Sequence, residues 1–505
     1  MGCVLANCIY TDTYLTNSPE VCLKQVKETS TKVIICDTYK RLKASFLDRY
    51  EDELADSGVI ACFLFAEGTT KETGGVSFRT NRRKEIKIFN WSQIMQLGTQ
   101  VEDRAVFTRI EQQKPGMCCS IVYTSGTTGD PKGVMLSHDN LTWFWTSYNL
   151  QKYGPEPDVR KGEPQEDLPP IRMVSFLPLS HITAQMADFS RLVISRRPIQ
   201  LTFAGPRYVN ENLHEVLKIV KPTDLIAVPR IYEKWQSFIE YSVAQWSPTY
   251  KSLFSWASQL GQQNTLAQQR GDLAPFGFGM SKVLVLQRLK QELGLECIEN
   301  LYYGAAPMAK ETRDFYSRLN MPVLSLYGLS ETSAATTFHE FPNCSLDTSG
   351  RPMPGLKLRI YNPDEHGEGE ICVRGRNIFM GYLYREKDTW EVFDGEGYFH
   401  TGDKGKLDEN NNLLITGRIK EILITSGGEN VDPGLIELNV KAACPLISHA
   451  ILVGEGRKFV SILLTLKVDK DKTSGFYTQN LSAEAKQLIK QKLRLSNVST
   501  VEDAL

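Results

Sequence analysis

The sequence contains no Cys-x-x-Cys pair, although it holds eleven cysteines, an odd number scattered along the chain. That spacing excludes a clustered zinc site or a complete disulfide frame and points to free thiols in a reducing compartment. No apolar run reaches the length that spans a bilayer. Charge of one sign is lacking too: 58 Lys and Arg face 59 Asp and Glu, so there is no footprint for nucleic acid. There is no internal repeat and no low-complexity tract. The amino terminus, Met1-Gly2-Cys3-Val4-Leu5-Ala6, opens like a myristoylation signal, but Ala6 stands where Ser or Thr belongs. It also lacks the basic start of a secretory signal. A cytoplasmic chain is expected, with peripheral contact at the endoplasmic reticulum or other membranes compatible with it, and no obligate protein partner is evident.

What remains is the composition of a globular protein, 505 residues with 41% hydrophobic and 23% charged residues. That length gives a prior of roughly three domains. Short β-rich runs alternate with helical patterns through the first two thirds, which predicts an α/β layered architecture. Val33–Cys36, Val59–Phe65 and Met173–Leu177 read as buried strands of a mostly parallel sheet. The stretch Ile231–Leu293 is mostly helical in period. From about residue 345 glycines and short strands dominate (356–360, 369–374, 412–416), which predicts a small antiparallel or barrel-like unit up to 417.

Residues 123–133 read Tyr-Thr-Ser-Gly-Thr-Thr-Gly-Asp-Pro-Lys-Gly. Thr124, Ser125, Thr127 and Thr128 alternate with Gly126 and Gly129, then come Asp130, Pro131 and Lys132. Such a loop has little side-chain bulk, many exposed backbone N–H donors and one cation, as wrapping a polyphosphate requires. It sits between two strand-like runs, Cys119–Tyr123 and Val134–Leu136. It is not a Walker loop, because Lys132 is followed by Gly133 rather than Ser or Thr.

Residues 326–333 read Leu-Tyr-Gly-Leu-Ser-Glu-Thr-Ser. Tyr327 can stack on a purine, Gly328 lets backbone approach a ligand, and Glu331 can hold Mg²⁺ against phosphate oxygens. A Tyr-Gly with a nearby acid is also common at turns, and the preceding loop tips the balance to a nucleotide site. Asp403 follows Gly402 in His400-Thr401-Gly402-Asp403, and Arg418 stands in Gly417-Arg418-Ile419-Lys420-Glu421. Outside this order the first is an ordinary turn residue and the second part of a solvated charge cluster. Paired Gly427 and Gly428 come last.

Taken together, these five motifs resemble the adenylate-forming enzymes. Ser175–Ile182, Val228-Pro229-Arg230 and Gly304-Ala305-Ala306-Pro307 resemble long-chain fatty acyl-CoA synthetases, and Phe379–Tyr382 and Glu421–Thr425 are most similar to the bubblegum subgroup. The resemblance implies an ATP-dependent long-chain fatty acid–CoA ligase using ATP, Mg²⁺ and coenzyme A on a long-chain or very-long-chain fatty acid. Fatty acyl-AMP forms with release of pyrophosphate, and the coenzyme A thiol then displaces AMP. It implies an AMP-binding domain over 1–417, a hinge at 418–420 turning on Lys420, and a partial α+β carboxy-terminal domain over 421–505.

By the same resemblance Thr124, Lys132, Glu331 and His181 carry catalysis, with Thr124 and Glu331 on the metal. The nucleotide contacts are residues 124–132, Tyr327, Gly328, Leu329, Ser330, Glu331, Thr332, Asp403 on the ribose hydroxyls, Arg418, and Gly427 and Gly428, whose loop also positions coenzyme A. His181, Gly304, Ala305, Ala306 and Pro307 face the acyl chain, with Phe203, Ala227–Arg230 and Tyr303 as further wall candidates that serve equally as core. Two departures accompany this. Asp432 stands where the family usually has Pro, and the family's adenylation lysine falls beyond Leu505. Lys486, Lys490 and Lys492 read instead as a solvated helix face. Ser499-Thr500-Val501-Glu502 reads as a capping box announcing a helix. The expectation is therefore a chain short at both ends, with a weak nucleotide- or acyl-binding relative as the competing reading.

Overall fold

The computed structural model describes residues 2–65, 77–79, 85–124, 131–155, 169–195, 197–205, 212–339, 344–419, 423–424, 426, 430–431, 433–444, 446–470, 477–492 and 498–504. Two compact units result. The first gathers Met1–Thr142, Pro178–Phe189 and Phe379–Thr389; the second gathers Trp143–Leu177, Ser190–Ile378 and Trp390–Leu505.

The first unit holds two four-stranded sheets. In one, Val33–Cys36, Ala61–Leu64 and Glu85–Asn90 run parallel, and Ser77–Arg79 closes the edge antiparallel. Ile86, Ile88 and Asn90 face inward and alternate with more exposed neighbours, the period of a half-buried strand. The inward side packs with Leu42, Phe46, Leu54, Cys62 and Leu64. In the other sheet Cys118–Thr124 and Lys132–Ser137 pair antiparallel, flanked by Tyr10–Thr11 and by Gly381–Tyr382.

The second unit holds the main apolar core. Asp224–Ala227, Asn300–Tyr303 and Val323–Ser325 form a parallel sheet, as do Ile171–Ser175 and Ile199–Phe203. Helices Pro229–Ala244 and Pro248–Arg270 follow, as the helical period of 231–293 predicts. The longer one starts where the Ser247 side chain accepts from Tyr250 N with Pro248 in the first turn, and it stops at left-handed Gly271. Midway, a Cβ at Gly261 would stand 2.1 Å from the Arg318 carbonyl oxygen, so only glycine lets helix Lys310–Arg318 approach this closely.

A buried ion pair ties the 191–194 helix to the parallel sheet. Arg191 Nη2 lies 2.6 Å from Asp224 Oδ2, with side chains 2% and 0% exposed. Asn300 Nδ2 donates to the other Asp224 oxygen at 2.8 Å, and Arg191 stacks over Trp145 and Tyr148.

The 345–417 region is antiparallel as expected, in the order Lys357–Tyr361, Gly369–Arg374, Phe399–Leu407, Leu413–Arg418. The barrel-like expectation is corrected: among the described residues there is no closed barrel. Closure requires the two outermost strands to pair and a minimum strand number, and here Lys357–Tyr361 and Leu413–Arg418 remain open edges. Beyond 420 come helix Pro433–Ala443, the hairpin Ile447–Val453 with Ser461–Leu466, and helix Ala483–Lys492. That last helix buries Ala485 and Ile489 against Leu481 and leaves Lys490 exposed and Lys486 half-buried.

The final capping box is shifted by one residue from its predicted register. Thr500 Oγ1 accepts Asp503 N at 3.1 Å, and the Asp503 carboxylate accepts from Thr500 N at 2.8 Å and Ser499 N at 2.9 Å. These donors hold the Asp503 carboxyl down at about 2. Among the described residues no helix is long and apolar enough to cross a membrane.

Candidate functional site

In the second unit, cross-strand pairing places Asp403 directly opposite Arg418. A register shift follows at Lys404/Gly405, and another interrupts the neighbouring strand pair between Glu370 and Cys372. Bulges of this kind re-aim side chains at functional edges. Arg418 Nε donates to Asp403 Oδ1 at 2.8 Å, and the Tyr327 hydroxyl donates to Asp403 Oδ2 at 2.8 Å. The Asp403 side chain is only 6% exposed while Arg418 is 44% exposed, so the cation reaches from solvent onto a buried carboxylate.

A carboxylate offers about four lone-pair directions, and Tyr327 and Arg418 are among the partners of this one. The Tyr327 ring packs with Ile371, Val373 and Leu413 and is 6% exposed. Burial, then the adjacent Asp403 charge, lifts its phenol well above the ordinary range, so it stays a donor.

Thr401 and Gly402 hold the same turn. Thr401 Oγ1 donates to Ile371 O at 2.7 Å, and Gly402 N donates to Glu370 Oε1 at 3.0 Å. The second Glu370 oxygen lies 2.7 Å from His400 Nδ1. Glu370, Cys372 and His400 bring their ligand atoms within 4.8 Å of one another, which is metal-site chemistry. A cation is already resident, however. Arg359 lies opposite Cys372 and pairs with Asp394 and Glu396. Burial pushes the Cys372 thiol up to about 12, so it is a poor ligand. The cluster supports the Asp403 turn.

Glu331 sits in the single helical turn Ser330–Thr332, partly exposed. Ser333 and Ala334 follow with φ of 56° and 89°, left-handed values that β-carbon residues adopt only under constraint. The constraint is a buried clamp: Asn377 Nδ2 donates to Thr332 O at 2.9 Å, and Ser333 Oγ donates to Asn377 O at 2.8 Å. Thr332, Ser333 and Asn377 are 0%, 0% and 1% exposed. A Cβ on Gly328 would lie 1.6 Å from Ala334 O, so the reversal demands glycine there. Leu329 N donates to Thr332 Oγ1, completing the turn.

In the first unit, Thr124 and Lys132 face one another across the last rung of the 118–124 and 132–137 strands. This puts a hydroxyl and a cation side by side where the strands part, next to Pro131. Lys132 Nζ lies 2.9 Å from Asp388 Oδ2 and 5.0 Å from the Tyr382 ring centroid. The Lys132 hydrogen bond draws the Asp388 carboxyl below its usual range.

His181 caps the short helix Ile182–Ala184, its Nδ1 accepting Thr183 N at 3.2 Å. Burial lowers its pKa, so the ring is neutral near pH 7 with its proton on Nε2. Beside it, Gln185 Nε2 donates to Asp12 Oδ2 at 3.0 Å and Leu179 O at 2.9 Å. Tyr10 OH donates to Gln185 Oε1 at 3.2 Å. Desolvation lifts Asp12 to about 6.

Tyr327, Gly328, Leu329, Ser330, Glu331, Thr332, Asp403 and Arg418 thus lie in the second unit, while Thr124, Pro131, Lys132 and His181 lie in the first. Ser125, Gly126, Thr127, Thr128, Gly129, Asp130, Lys420, Gly427 and Gly428 lie outside the described residues. Gly304–Pro307 follow the Asn300–Tyr303 strand. Ala305, at φ 68°, and its two successors are exposed. Of the wall candidates, Ala227 and Tyr303 belong to the apolar core, whereas Phe203 is 58% exposed. Sequence reasoning passed over Asn377, Asp388, Glu370, Asp12 and Gln185. Asn377 and Asp388 flank the quoted Phe379–Tyr382 motif, which is the one signal that could have flagged them.

Residues 1–383 match the family model described as AMP-binding enzyme, and residues 420–496 match that of the AMP-binding enzyme C-terminal domain. The chain is 38% identical over 486 residues to the long-chain-fatty-acid–CoA ligase ACSBG1 of Rattus norvegicus, covering 96% of this chain and 64% of that protein. It is 37% identical to ACSBG2 of Gallus gallus, covering 96% and 60%. To Mus musculus ACSBG2 it is 36% identical, covering 100% and 72%. The chain therefore spans less than two thirds of the length of the rat and chicken proteins.

Among solved structures it superimposes on ATP-bound MatB from Rhodopseudomonas palustris with a TM-score of 0.58 at 20% identity, covering 99% of this chain and 80% of that one. It matches MenE, the O-succinylbenzoate coenzyme A synthetase of Bacillus subtilis in complex with ATP and magnesium, at the same TM-score and 19% identity, covering 93% and 76%. These last two likenesses speak to the fold. The match over residues 1–383, together with the ordered motifs described above, settles the family: the chain belongs to the AMP-binding enzymes.

Proposed function

We propose that this chain binds ATP and activates a long-chain fatty acid as its adenylate, the first half of a fatty acid–CoA ligase reaction that ends in acyl-CoA and AMP. The observation that carries the reading is the buried Asp403 carboxylate, fixed between Tyr327 and Arg418 in a chain whose residues 1–383 match the AMP-binding enzymes. The relatives' activity supplies the acid and the thiol. We take 1–417 as the AMP-binding domain, 418–420 as the hinge about Lys420 and 421–505 as part of the carboxy-terminal domain.

A fatty carboxylate is a poor electrophile; its oxygen attacks the α-phosphorus, pyrophosphate leaves, and the resulting acyl-AMP offers AMP as a good leaving group when the thiol attacks the acyl carbon. Charge develops on the phosphates as pyrophosphate departs. Backbone N–H groups of 125–130 and Lys132 act on that charge, and Lys132 trades Asp388 for the phosphate. Thr124 and Glu331 offer the hard oxygen donors that Mg²⁺ prefers, and the locked turn after Glu331 fixes one of them. Mg²⁺ held by such donors would supply Lewis-acid stabilisation of phosphate oxygens. Neutral His181 presents Nε2–H, while Gly304, Ala305 and Ala306 leave room beside the acyl carbonyl. Gly427 and Gly428 belong to the segment assigned to coenzyme A.

Fatty acid-dependent ATP–pyrophosphate exchange tests this reading, run on this chain and on one extended at its carboxy end. Exchange by the extended chain that falls roughly ten- to a hundredfold in Thr124→Ala and Glu331→Ala supports it. Nucleotide binding without exchange in either chain would leave a binding protein, and no nucleotide binding at all would remove the site.

A further inference from the structure

The turn joining helix Pro248–Arg270 to the helical run 278–293 carries large apolar side chains in solvent. Leu273 and Phe276 are essentially fully exposed, at 94% and 103% of their reference areas. Met280, Val283 and Leu284 continue the surface at 63%, 68% and 44% exposure. Leu273 and Phe276 stand just before left-handed Gly277, and Met280, Val283 and Leu284 follow on the helical run that begins at Phe278. The opposite face of the same run already has its partners: Ser281, Val285, Leu286 and Leu289 are buried. Phe278, packed against the main core, fixes the turn to the body of the unit. The exposed residues are therefore an apolar surface on a segment anchored by Phe278. Contiguous exposed apolar surface of this kind marks an interaction site.

The charges that flank it along the chain point to the occupant. Between residues 270 and 288 the exposed ionisable groups are Arg270, Lys282 and Arg288 against a single carboxylate, Asp272. The chain as a whole is balanced at 58 basic and 59 acidic residues, so this excess is local. Apolar side chains at the tip with cations at the margin match a bilayer interface, where acyl boundary lies beneath anionic headgroups. We propose that the 271–284 segment is a membrane-docking surface that inserts Leu273 and Phe276 among the lipids of an anionic leaflet. Arg270, Lys282 and Arg288 then engage the headgroups. The surface stands independently of the ligase reading. Combined with that reading, it would let an insoluble acid enter from the bilayer in which it is dissolved.

Flotation with vesicles tests the surface, using the full chain, phosphatidylcholine alone or mixed with phosphatidylglycerol, and the double variant Leu273→Glu/Phe276→Glu. Both side chains lie in solvent, so the variant should fold, which an unchanged melting temperature verifies. Binding to the mixed vesicles should fall more than about tenfold in that variant. Lys282→Glu should weaken binding and flatten its salt dependence. Exchange supported by a short, water-soluble fatty acid should not change. Equal binding by wild type and double variant, equal binding to neutral and anionic vesicles, or sedimentation showing the face closed by a second copy of the chain would each overturn the proposal. Because flotation needs no ATP and no turnover, failure here is separable from failure of the exchange assay.

Discussion

Tyr327→Phe removes one oxygen atom and leaves the ring among Ile371, Val373 and Leu413, so its effect isolates the hydrogen bond to Asp403. That bond is 2.8 Å long and ends on a carboxylate that is 6% exposed. Hydrogen bonds to charged groups are worth about 1.5–3 kcal/mol, and solvent screens this one little. Arg418 still holds Oδ1, but with Tyr327 gone the carboxylate can rotate toward the guanidinium and turn away from a bound diol. Taking the lower end of that range, AMP or ATP should bind about tenfold more weakly, at 1.4 kcal/mol per decade.

The decisive measurement is a double-mutant cycle by titration calorimetry with Tyr327→Phe, Asp403→Ala and the pair. If Tyr327 acts through Asp403, the double variant should bind no more weakly than Asp403→Ala alone, and the cycle should return a coupling near the single-variant loss. Additive losses would refute the reasoning. They would mean that Tyr327 meets the nucleotide on its own account, as a stacking platform for the purine.

Other perturbations reach different parts of the fold. Asp12 is raised from 3.8 to about 6 chiefly by desolvation, so the fold favours its protonated form. That contribution is complete below about pH 4 and is lost as pH rises through about 6, leaving the ionised group costing about 3 kcal/mol at neutrality. Asp12→Asn keeps an acceptor for Gln185, should exceed the wild type in stability above about pH 6 and should converge with it below about pH 4 in denaturant titrations across that range. Arg191→Met strands Asp224, whose carboxyl burial alone would raise but Arg191 and Lys152 hold below its usual range. A loss of about 3–5 kcal/mol is expected, partly recovered by adding Asp224→Asn, and full stability of the single variant would show the pair to be dispensable. Asn377→Ala frees the strained Thr332–Ala334 reversal, so exchange should fall with a larger Mg²⁺ requirement than wild type. A rate loss without any shift in Mg²⁺ dependence would place Asn377 outside the support of Glu331.

The α/β class was legible because buried strands such as Ile171–Ser175 and half-buried ones such as Glu85–Asn90 carry their burial in local pattern. The open antiparallel sheet was legible as strands but not as a topology. Whether Lys357–Tyr361 and Leu413–Arg418 meet is decided by twist and strand number, and neither is written in a run of six residues. The terminal cap shows the same limit at small scale. Ser499 and Glu502 fit the capping pattern, yet Asp503 wins because one carboxylate can accept from both Ser499 N and Thr500 N. Motif order found Tyr327, Asp403 and Arg418 singly, but the bond across 76 residues that makes them one device is a product of folding. Asp388 and Asn377 escaped for a related reason: an Asp in a charged helix and an Asn in a turn look ordinary until a distant Lys132 or Thr332 arrives beside them.

Asp403 also shows why this device is conspicuous once folded. It shares inward-facing parity with Phe399 and Gly405 along its strand, a parity that elsewhere in the sheet is occupied by apolar groups such as Ile371 and Val373. A carboxylate at such a position is desolvated, and desolvation alone makes it worse than a leucine for stability. Tyr327, Arg418 and the Glu370-braced backbone at Gly402 offset that penalty. Stability would be served as well by removing the acid and the phenol together, since apolar partners of matching shape can replace a buried polar pair nearly neutrally. The arrangement makes sense for a protein that gains something from a fixed, desolvated acceptor, and under the proposed function that gain is recognition of a ribose hydroxyl. Because the protein orients the acceptor in advance, little side-chain freedom is left for the nucleotide to freeze on binding.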